Sequence, residues 1–247
     1  MRWTSRHRWT FFILFALLLW LDWIWAQTPP IATPGPAPSS APAPVVSLPP
    51  AVMIDAAHGG SESGAVLNPV ILEKDVNLAF ARLLRQDLTS RGVLVRLVRE
   101  GDVNLSTDDR AAAVNSAQPL LYICLHASSQ SGGVRIFSAL LPAGADNNSA
   151  FLDWATAQRS VLPASRSLGQ QLATAMQKSG IPARALIAPL KPLNNVVVPA
   201  LAVEVSPTGS DISQLTTADF QEKTAAGLSN AIAAILPAIR TPLGALH

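Results

Sequence analysis

Short apolar runs alternate along the chain with longer stretches in which apolar residues recur at helical spacing. Runs of about four to eight apolar residues are typical of strands that are buried on both faces. Such strands are predicted at 51–54, 93–98, 120–125, 134–137 and 200–203. The longer stretches predict amphipathic helices at 73–90, 167–178 and 218–235. This alternation favours the α/β class, as a single domain with a twisted, largely parallel central sheet flanked by helices.

Polar residues mark the start of a further helix. Ser106 is suited to cap it, with Asp108 and Asp109 in the first turn, where the helix dipole favours negative charge. The stretch 144–164 is less regular and includes Trp154 among polar residues. It predicts a loop or a short helix over one edge of the domain.

The first 50 residues differ in character from the rest. Residues 1–26 place three arginines before a short apolar run, which is the layout of a secretory signal. Nine of the 24 residues at 27–50 are proline, so a disordered Pro/Ala-rich linker is predicted there, followed by a folded domain at 51–240. We expect export to the periplasm or cell envelope. Residues 11–26 are then either cleaved as part of a signal peptide or kept as an inner-membrane tether.

The charge balance argues against nucleic-acid binding, and the cysteine count excludes an internal disulfide. Removing residues 1–26 takes away three of 18 basic side chains and one of 16 acidic ones, which leaves 15 of each. A neutral exported part lacks the basic surface that nucleic-acid binding requires, so no nucleic-acid partner is expected. The single cysteine, Cys124, cannot form an internal disulfide, and its apolar neighbours favour a small buried residue over a reactive thiol.

Four residues with metal or acid–base chemistry stand at predicted element ends. His58, His126 and Glu204 come at or just past the ends of strand-like runs, and Glu73 opens a predicted helix. Sites in open α/β sheets gather at the carboxyl ends of strands, so these distant segments can converge. Two imidazoles and a carboxylate with an open fourth position suit a catalytic zinc ion, with Glu204 as the base that takes a proton from water. Each residue alone is ordinary, because such histidines and glutamates commonly have structural roles.

Six short motifs follow one another between residues 51 and 238. They are Asp55-Ala-Ala-His-Gly-Gly60, Glu73-Lys-Asp-Val-Asn-Leu78, Val98-Arg-Glu-Gly-Asp102, Arg110 with Asn115, Cys124-Leu-His-Ala-Ser128 and Pro199-Ala-Leu-Ala-Val-Glu204. Their content and order resemble the zinc-dependent N-acetylmuramoyl-L-alanine amidase family, with its type 3 catalytic domain. The resemblance covers the whole predicted domain.

The resemblance implies a bacterial peptidoglycan hydrolase that cleaves the amide bond between N-acetylmuramic acid and L-alanine of the stem peptide. It implies one Zn²⁺ ion per chain, held by His58, Glu73 and His126, and it implies Glu204 as the catalytic carboxylate. Peptidoglycan is then the expected partner, and the sequence does not identify an activator protein.

The sequence departs from the family pattern beside the predicted site. Ala56 and Ala57 replace Pro-Gly, Ser128 replaces Asn, and Ser206 with Pro207 replaces Gly-Phe. These changes touch substrate fit and turnover more than metal binding. Two other interpretations stay open. One is a non-catalytic cell-wall binding or scaffolding module that retains zinc, and the other is a zinc peptidase that cuts within the stem peptide.

Overall fold

The structure, a computed structural model, describes residues 52–142 and 154–240. The predicted signal or anchor at 1–26, the linker at 27–50 and part of the irregular stretch at 144–164 lie outside the described residues. Within the described ranges, none of the helices combines the length and the apolar character that crossing a membrane requires.

Strands and helices alternate through the described residues as the hydrophobic pattern predicts. The strands are β1 (Val52–Ala56), β2 (Val66–Asn68), β3 (Ile71–Leu72), β4 (Val95–Leu97), β5 (Leu121–Ala127), β6 (Val134–Ala139), β7 (Ala183–Ala188) and β8 (Ala200–Val205). The α-helices are α1 (Glu73–Ser90), α2 (Thr107–Ala117), α3 (Leu162–Lys178) and α4 (Ala218–Arg240). Short 3-10 helices cover Trp154–Val161, Leu193–Asn195 and Ile212–Thr216. The predicted α/β class is confirmed.

A six-stranded sheet forms the centre of the domain, with the strand order β4-β1-β5-β8-β6-β7. The pairs β1–β4, β1–β5, β5–β8 and β6–β7 are parallel, whereas β6 and β8 are antiparallel. β2 and β3 form a separate antiparallel hairpin. The prediction of a largely parallel sheet is therefore confirmed. The carboxyl ends of β1, β5 and β8 lie side by side.

Side chains of the sheet alternate between two apolar layers, as the pleat of a strand requires. On β5, Leu121 and Leu125 face the layer that also contains side chains of α1, α3 and α4. Tyr122 and Cys124 face the second layer, which includes Val114 of α2. Cys124 is a free, buried thiol, as predicted. Because both faces are covered, apolar residues dominate both faces of the central strands, which do not show the alternation of a half-exposed sheet.

Three of the observed strands are missing from the sequence-based expectation. The pattern does not predict the β2–β3 hairpin or β7, which is an edge strand with Arg184 and Ile187 exposed among half-buried residues. The four apolar residues at 185–188 fit a short strand, but no strand is predicted there. α3 begins at Leu162 and not at 167, because Pro163 fits the first turn of a helix.

The described end of the irregular stretch forms a 3-10 helix over Trp154–Val161 and then enters α3. Trp154 is half-exposed, and its Nε1 lies 3.3 Å from Asp108 Oδ1 near the start of α2. Residues 143–153, which include the rest of the predicted loop, lie outside the described residues. A short helix, one of the two predicted forms, is therefore present where this stretch is described.

The start of α2 is fixed by a capping box, which confirms the predicted N-cap. The backbone N–H of Asp109 donates to Ser106 Oγ at 3.1 Å, and Asp109 Oδ2 accepts from the backbone N–H of Ser106 at 3.3 Å. These bonds satisfy donors that the first turn of a helix leaves without a partner. They fix the helix end from which Arg110 projects.

We expect Ser106→Ala to lower the free energy of unfolding by about 1 kcal/mol, because the Asp109 N–H loses its acceptor. Ser116→Ala is the matched control, since Ser116 is an exposed residue of the same helix far from its start. Urea unfolding followed by circular dichroism measures both variants. Equal losses of stability would contradict the capping role of Ser106.

Candidate metal centre

His58 lies two residues beyond β1 and has a backbone φ of 64°. This left-handed region is uncommon for a residue with a side chain, so its neighbours must hold it there. Arg110 Nη2 donates to the His58 carbonyl oxygen at 2.8 Å, and Glu62 Oε1 lies 3.0 Å from His58 Nδ1. With Nδ1 held by Glu62, the other ring nitrogen, Nε2, lies 3.2 Å from Glu73 Oε2.

Glu73 is the first residue of α1, and its side chain is almost completely buried. Oε1 lies 2.8 Å from His126 Nδ1, and Oε2 accepts from the backbone N–H of Ala65 at 2.9 Å. Burial alone would raise the pKa of this carboxyl group. Hydrogen bonds from His126, His58 and Ala65 outweigh burial and hold the pKa well below its usual range. The carboxyl group is therefore ionised, which is the form that binds a metal ion.

His126 lies on β5, one residue before the end of the strand. Its Nδ1 faces Glu73, and its Nε2 lies 3.5 Å from the sulfur of Cys124 on the same face of the sheet. Burial lowers the pKa of His126, but its contacts with Cys124 and Glu73 raise it well above the ordinary value. The hydrogen bond with Glu73 also raises the pKa of His58, against the effect of burial. Protons held by these imidazoles must leave when a metal ion binds.

The loop before the β2–β3 hairpin brings backbone close to two of these residues. Gly64 has a φ of 68°, and a Cβ added there would lie 2.5 Å from His58 Cδ2 and 2.7 Å from Glu73 Oε2. Asn68 closes the hairpin turn, because its Oδ1 accepts two backbone N–H groups at 2.8 and 2.9 Å. The centre thus has no room for a side chain at position 64.

The three predicted ligands come together in a group that can hold a metal ion. One donor atom from each of His58, Glu73 and His126 can be chosen so that all lie within 4.8 Å of one another. Tetrahedral zinc with bonds of about 2.1 Å places neighbouring ligand atoms about 3.4 Å apart. The observed 3.2 Å between His58 Nε2 and Glu73 Oε2 matches this spacing. Three protein ligands of this kind leave one position open, so the donor set fits catalytic zinc.

Glu204 lies beside this group but is not one of its three members. It is the penultimate residue of β8 and is paired in register with His126 on β5. On its other side it is paired with Arg135 of β6, and Arg135 Nη2 forms an ion pair with Glu204 Oε1. The predicted catalytic carboxylate is therefore next to a candidate ligand, on the adjacent strand.

Tyr122 and buried polar residues of the motifs fix the end of β1 next to His58. Arg110 Nη1 is ion-paired with Asp55, and Tyr122 donates its hydroxyl to Asp55 Oδ2 at 2.8 Å. Burial and the charge of Asp55 raise the pKa of Tyr122 well above its usual value, which keeps the hydroxyl protonated. Arg99 Nε donates to the Ala56 carbonyl oxygen at 2.7 Å. The backbone carbonyl groups just past the end of β1 thus have arginine side chains as their hydrogen-bond donors.

The remaining motif residues hold the surrounding loops. Lys74 Nζ lies 2.7 Å from Asp102 Oδ2, and the backbone N–H of Gly60 donates to Asp102 Oδ1 at 2.7 Å. Asn115 Oδ1 accepts from the backbone N–H of Val197, just before β8, at 2.9 Å. These contacts hold the loops on either side of the candidate ligands.

Residues that depart from the family pattern also have defined contacts. The Ala57 carbonyl oxygen accepts from Asn77 Nδ2 at 3.2 Å, and the Ser128 N–H donates to the Val205 carbonyl oxygen at 3.0 Å. The Ser206 hydroxyl donates to the carbonyl oxygen of Gly133, just before β6. Of these three contacts, that of Ser206 uses the substituted side chain, whereas those of Ala57 and Ser128 use backbone atoms. The effect of these positions on turnover stays a prediction.

Three residues near the centre were not singled out by the sequence. Glu62 and Gly64 follow His58 by four and six positions in a short loop. Once His58 is taken as a candidate ligand, this short separation indicates that both residues lie near it. Arg135 is a cation inside an otherwise apolar strand, which indicates a buried partner but not its identity.

Comparison with known proteins identifies relatives over the described domain. A family model described as N-acetylmuramoyl-L-alanine amidase matches residues 52–234. The endolysin of Bacillus phage SPP1 is 41% identical over 83 residues, which are 33% of this chain and 30% of that protein. The N-acetylmuramoyl-L-alanine amidase AmiC of Escherichia coli O6:H1 is 35% identical over 131 residues, which are 50% of this chain and 30% of that protein. The chain therefore matches under a third of the length of these two relatives.

Solved structures share the fold. An N-acetylmuramoyl-L-alanine amidase from Clostridium difficile 630 superimposes with a TM-score of 0.60 at 20% identity, over 76% of this chain and 97% of that one. The catalytic domain of CwlV from Bacillus (Paenibacillus) polymyxa gives 0.57 at 23% identity, over 76% and 98%. At these identities the likeness establishes the architecture.

Gly64→Ala is expected to abolish metal binding, because the new Cβ would collide with His58 and Glu73. Gly92→Ala is the matched control: its φ of 76° imposes the same backbone strain, but no atom lies within 4 Å of the added Cβ. Zinc content after dialysis, measured by atomic emission alongside thermal unfolding, compares the two. Full zinc retention by Gly64→Ala would show that the centre is assembled differently.

Replacing Glu62 tests whether it orients His58. Carboxylates behind a ligand histidine typically contribute about 10- to 100-fold to metal affinity, so we expect Glu62→Ala to weaken zinc binding by that factor. Glu100→Ala is the control, since Glu100 is an exposed residue paired with Arg85. Competition with a chromogenic chelator gives both affinities, and an unchanged affinity for Glu62→Ala would exclude the orienting role.

Proposed function

The chain belongs to the N-acetylmuramoyl-L-alanine amidase family, and we propose that it is a zinc-dependent hydrolase that cleaves the amide bond between N-acetylmuramic acid and L-alanine in peptidoglycan. The family match covers the domain that contains every candidate site residue. The curated relatives are matched over only part of their lengths, so the activity of the whole protein is proposed here from the domain that matches.

The observation that carries the proposal is the convergence of three ligands and one further carboxylate. His58, Glu73 and His126 come from three different segments and meet within 4.8 Å. Glu204 is in register with His126 on the next strand, so the four residues lie at one edge of the sheet. A structural metal site would be closed by a fourth protein ligand, whereas this set leaves a position open.

His58, Glu73 and His126 would hold the zinc ion. When bound, zinc would lower the pKa of water at the open position to about 7 and polarise the carbonyl of the scissile amide. Both imidazoles must be neutral in that state, and the ionised Glu73 supplies one negative charge to the site.

Glu204 is proposed to carry out the proton transfers. Its carboxylate accepts the proton of the water that attacks the amide carbon, and then donates that proton to the amide nitrogen as the C–N bond breaks. The muramic acid side then ends in a carboxylate and the peptide begins with the free amino group of L-alanine. Glu62 and Arg110 keep His58 in place during these steps.

The domain layout predicted from the sequence completes the proposal. Residues 1–26 would act as an export signal or membrane anchor, 27–50 as a linker, and 51–240 as the catalytic domain acting in the periplasm or cell envelope. A linker of this composition would let the domain reach peptidoglycan from a membrane tether.

Digestion of purified peptidoglycan sacculi tests the reaction. We expect the wild-type chain to release peptides that begin with free L-alanine, and Glu204→Gln to retain zinc but lose at least about 100-fold in rate, as is usual for a general base. Glu222→Gln, the same change at an exposed residue of α4, should digest like wild type. Mass spectrometry of the products and zinc analysis give both readouts.

Other product patterns would select the competing interpretations. Fragments cut inside the stem peptide would identify a peptidase. Zinc binding without digestion by the wild-type chain would identify a non-catalytic cell-wall module. Undiminished turnover by Glu204→Gln would remove Glu204 from the mechanism.

A further inference from the structure

A row of polar side chains crosses three neighbouring strands next to the metal centre. His126 on β5, Glu204 on β8 and Arg135 on β6 are paired residue by residue in the sheet. Side chains of directly paired residues point to the same face, and adjacent strands lie about 4.8 Å apart. Glu204 therefore lies between a metal ligand on one side and a guanidinium on the other.

Arg135 makes two side-chain contacts in this row through its terminal nitrogens. The residue is 9% exposed, and its Nη1 donates to Gln130 Oε1 at 2.9 Å while Nη2 is ion-paired with Glu204. Within the described ranges, Arg135 is the cation found in an ion pair with Glu204. The side chain of Glu204 is 24% exposed. A guanidinium fixed at one end by Gln130 and at the other by a carboxylate determines where that carboxylate lies.

The position of Glu204 matters because a second cation would compete for it. A divalent ion held by His58, Glu73 and His126 attracts a nearby carboxylate more strongly than a single positive charge does at the same distance. A glutamate one strand away from His126 is long enough to turn toward such an ion. A fourth protein ligand would close the open position and remove the base from its task.

We propose that Arg135 is a positioning residue that holds Glu204 away from the metal's open position, so that the carboxylate stays available for proton transfer. This inference rests on the proposed function for the catalytic role of Glu204. Its effect on the metal is independent of catalysis, because it concerns which atoms surround the ion.

The chain offers a matched control for the loss of this charge. Arg184 on β7 is paired directly with Arg135, one strand farther from Glu204, and is exposed. Arg184→Met makes the same replacement as Arg135→Met, in the same row of paired residues. It leaves the Arg135–Glu204 ion pair intact.

The test measures zinc release from the zinc-loaded full chain into a chromogenic chelator, for wild type, Arg135→Met, Glu204→Gln, the double variant and Arg184→Met. In Arg135→Met we expect release to slow by about 10-fold or more, the size of effect that residues behind a metal ligand typically have. The double variant should release zinc at the rate of Glu204→Gln, because the added ligand is then missing. Arg184→Met should match wild type.

Turnover on sacculi fragments gives a second readout. Arg135→Met should lose kcat by about 10-fold or more with KM nearly unchanged, since substrate contacts remain while the base is misplaced. Arg135→Lys, which keeps the charge, should restore zinc release toward the wild-type rate and recover part of kcat. A merely structural role for Arg135 would not produce zinc retention that depends on Glu204.

Two results would overturn the inference: wild-type zinc release by Arg135→Met, or release from the double variant that stays as slow as from Arg135→Met. If circular dichroism shows that Arg135→Met does not fold, Arg135→Gln carries the same expectations with a polar side chain of similar length. Failure of the proposed function is separate, since it appears as a wild-type chain that binds zinc but releases no alanine-terminated peptides.

Discussion

Asp55 has no solvent exposure, and its carboxylate is balanced by the guanidinium of Arg110 and the hydroxyl of Tyr122. A buried carboxylate left without such partners would cost several kcal/mol. The ion pair joins the end of β1 to the start of α2, and the same guanidinium reaches the carbonyl oxygen of His58. One buried interaction thus anchors a strand end, a helix and the unusual backbone of a candidate metal ligand.

The direction of β6 places a positive charge next to Glu204. Parallel strands bring their carboxyl ends to one edge, which is where His126 and Glu204 lie. Because β6 runs antiparallel to β8, its beginning lies at that edge, and a residue near its start, Arg135, is placed opposite Glu204. A single reversal in a parallel sheet therefore delivers a cation to an edge that otherwise carries histidines and carboxylates.

Sequence reasoning located the candidate ligands because their signals are local. His58, His126 and Glu204 stand at strand ends, and Glu73 opens a helix whose predicted bounds of 73–90 agree with the structure. The family, the α/β class and the largely parallel sheet followed from motif order and from the alternation of apolar runs.

What the sequence did not predict depends on contacts between distant segments. The Arg135–Glu204 ion pair requires the register of two antiparallel strands separated by about 70 residues, which no local pattern encodes. The need for glycine at 64 is set by atoms of His58 and Glu73. β7 is a different case, because its apolar residues at 185–188 are a local signal that was not assigned to a strand. The ion pair and the glycine are thus non-local constraints, whereas β7 is a missed local pattern.

The hairpin of β2 and β3 leads directly into α1, whose first residue is Glu73. The backbone N–H of Ala65, just before the hairpin, donates to the same carboxylate that faces both histidines. The order of this surface hairpin therefore also determines where Glu73 lies. By thermodynamic reciprocity, a metal ion bound at this candidate centre would rigidify the hairpin. Supply of metal from the surroundings would in this way set the local stability of a surface segment and its susceptibility to proteolysis.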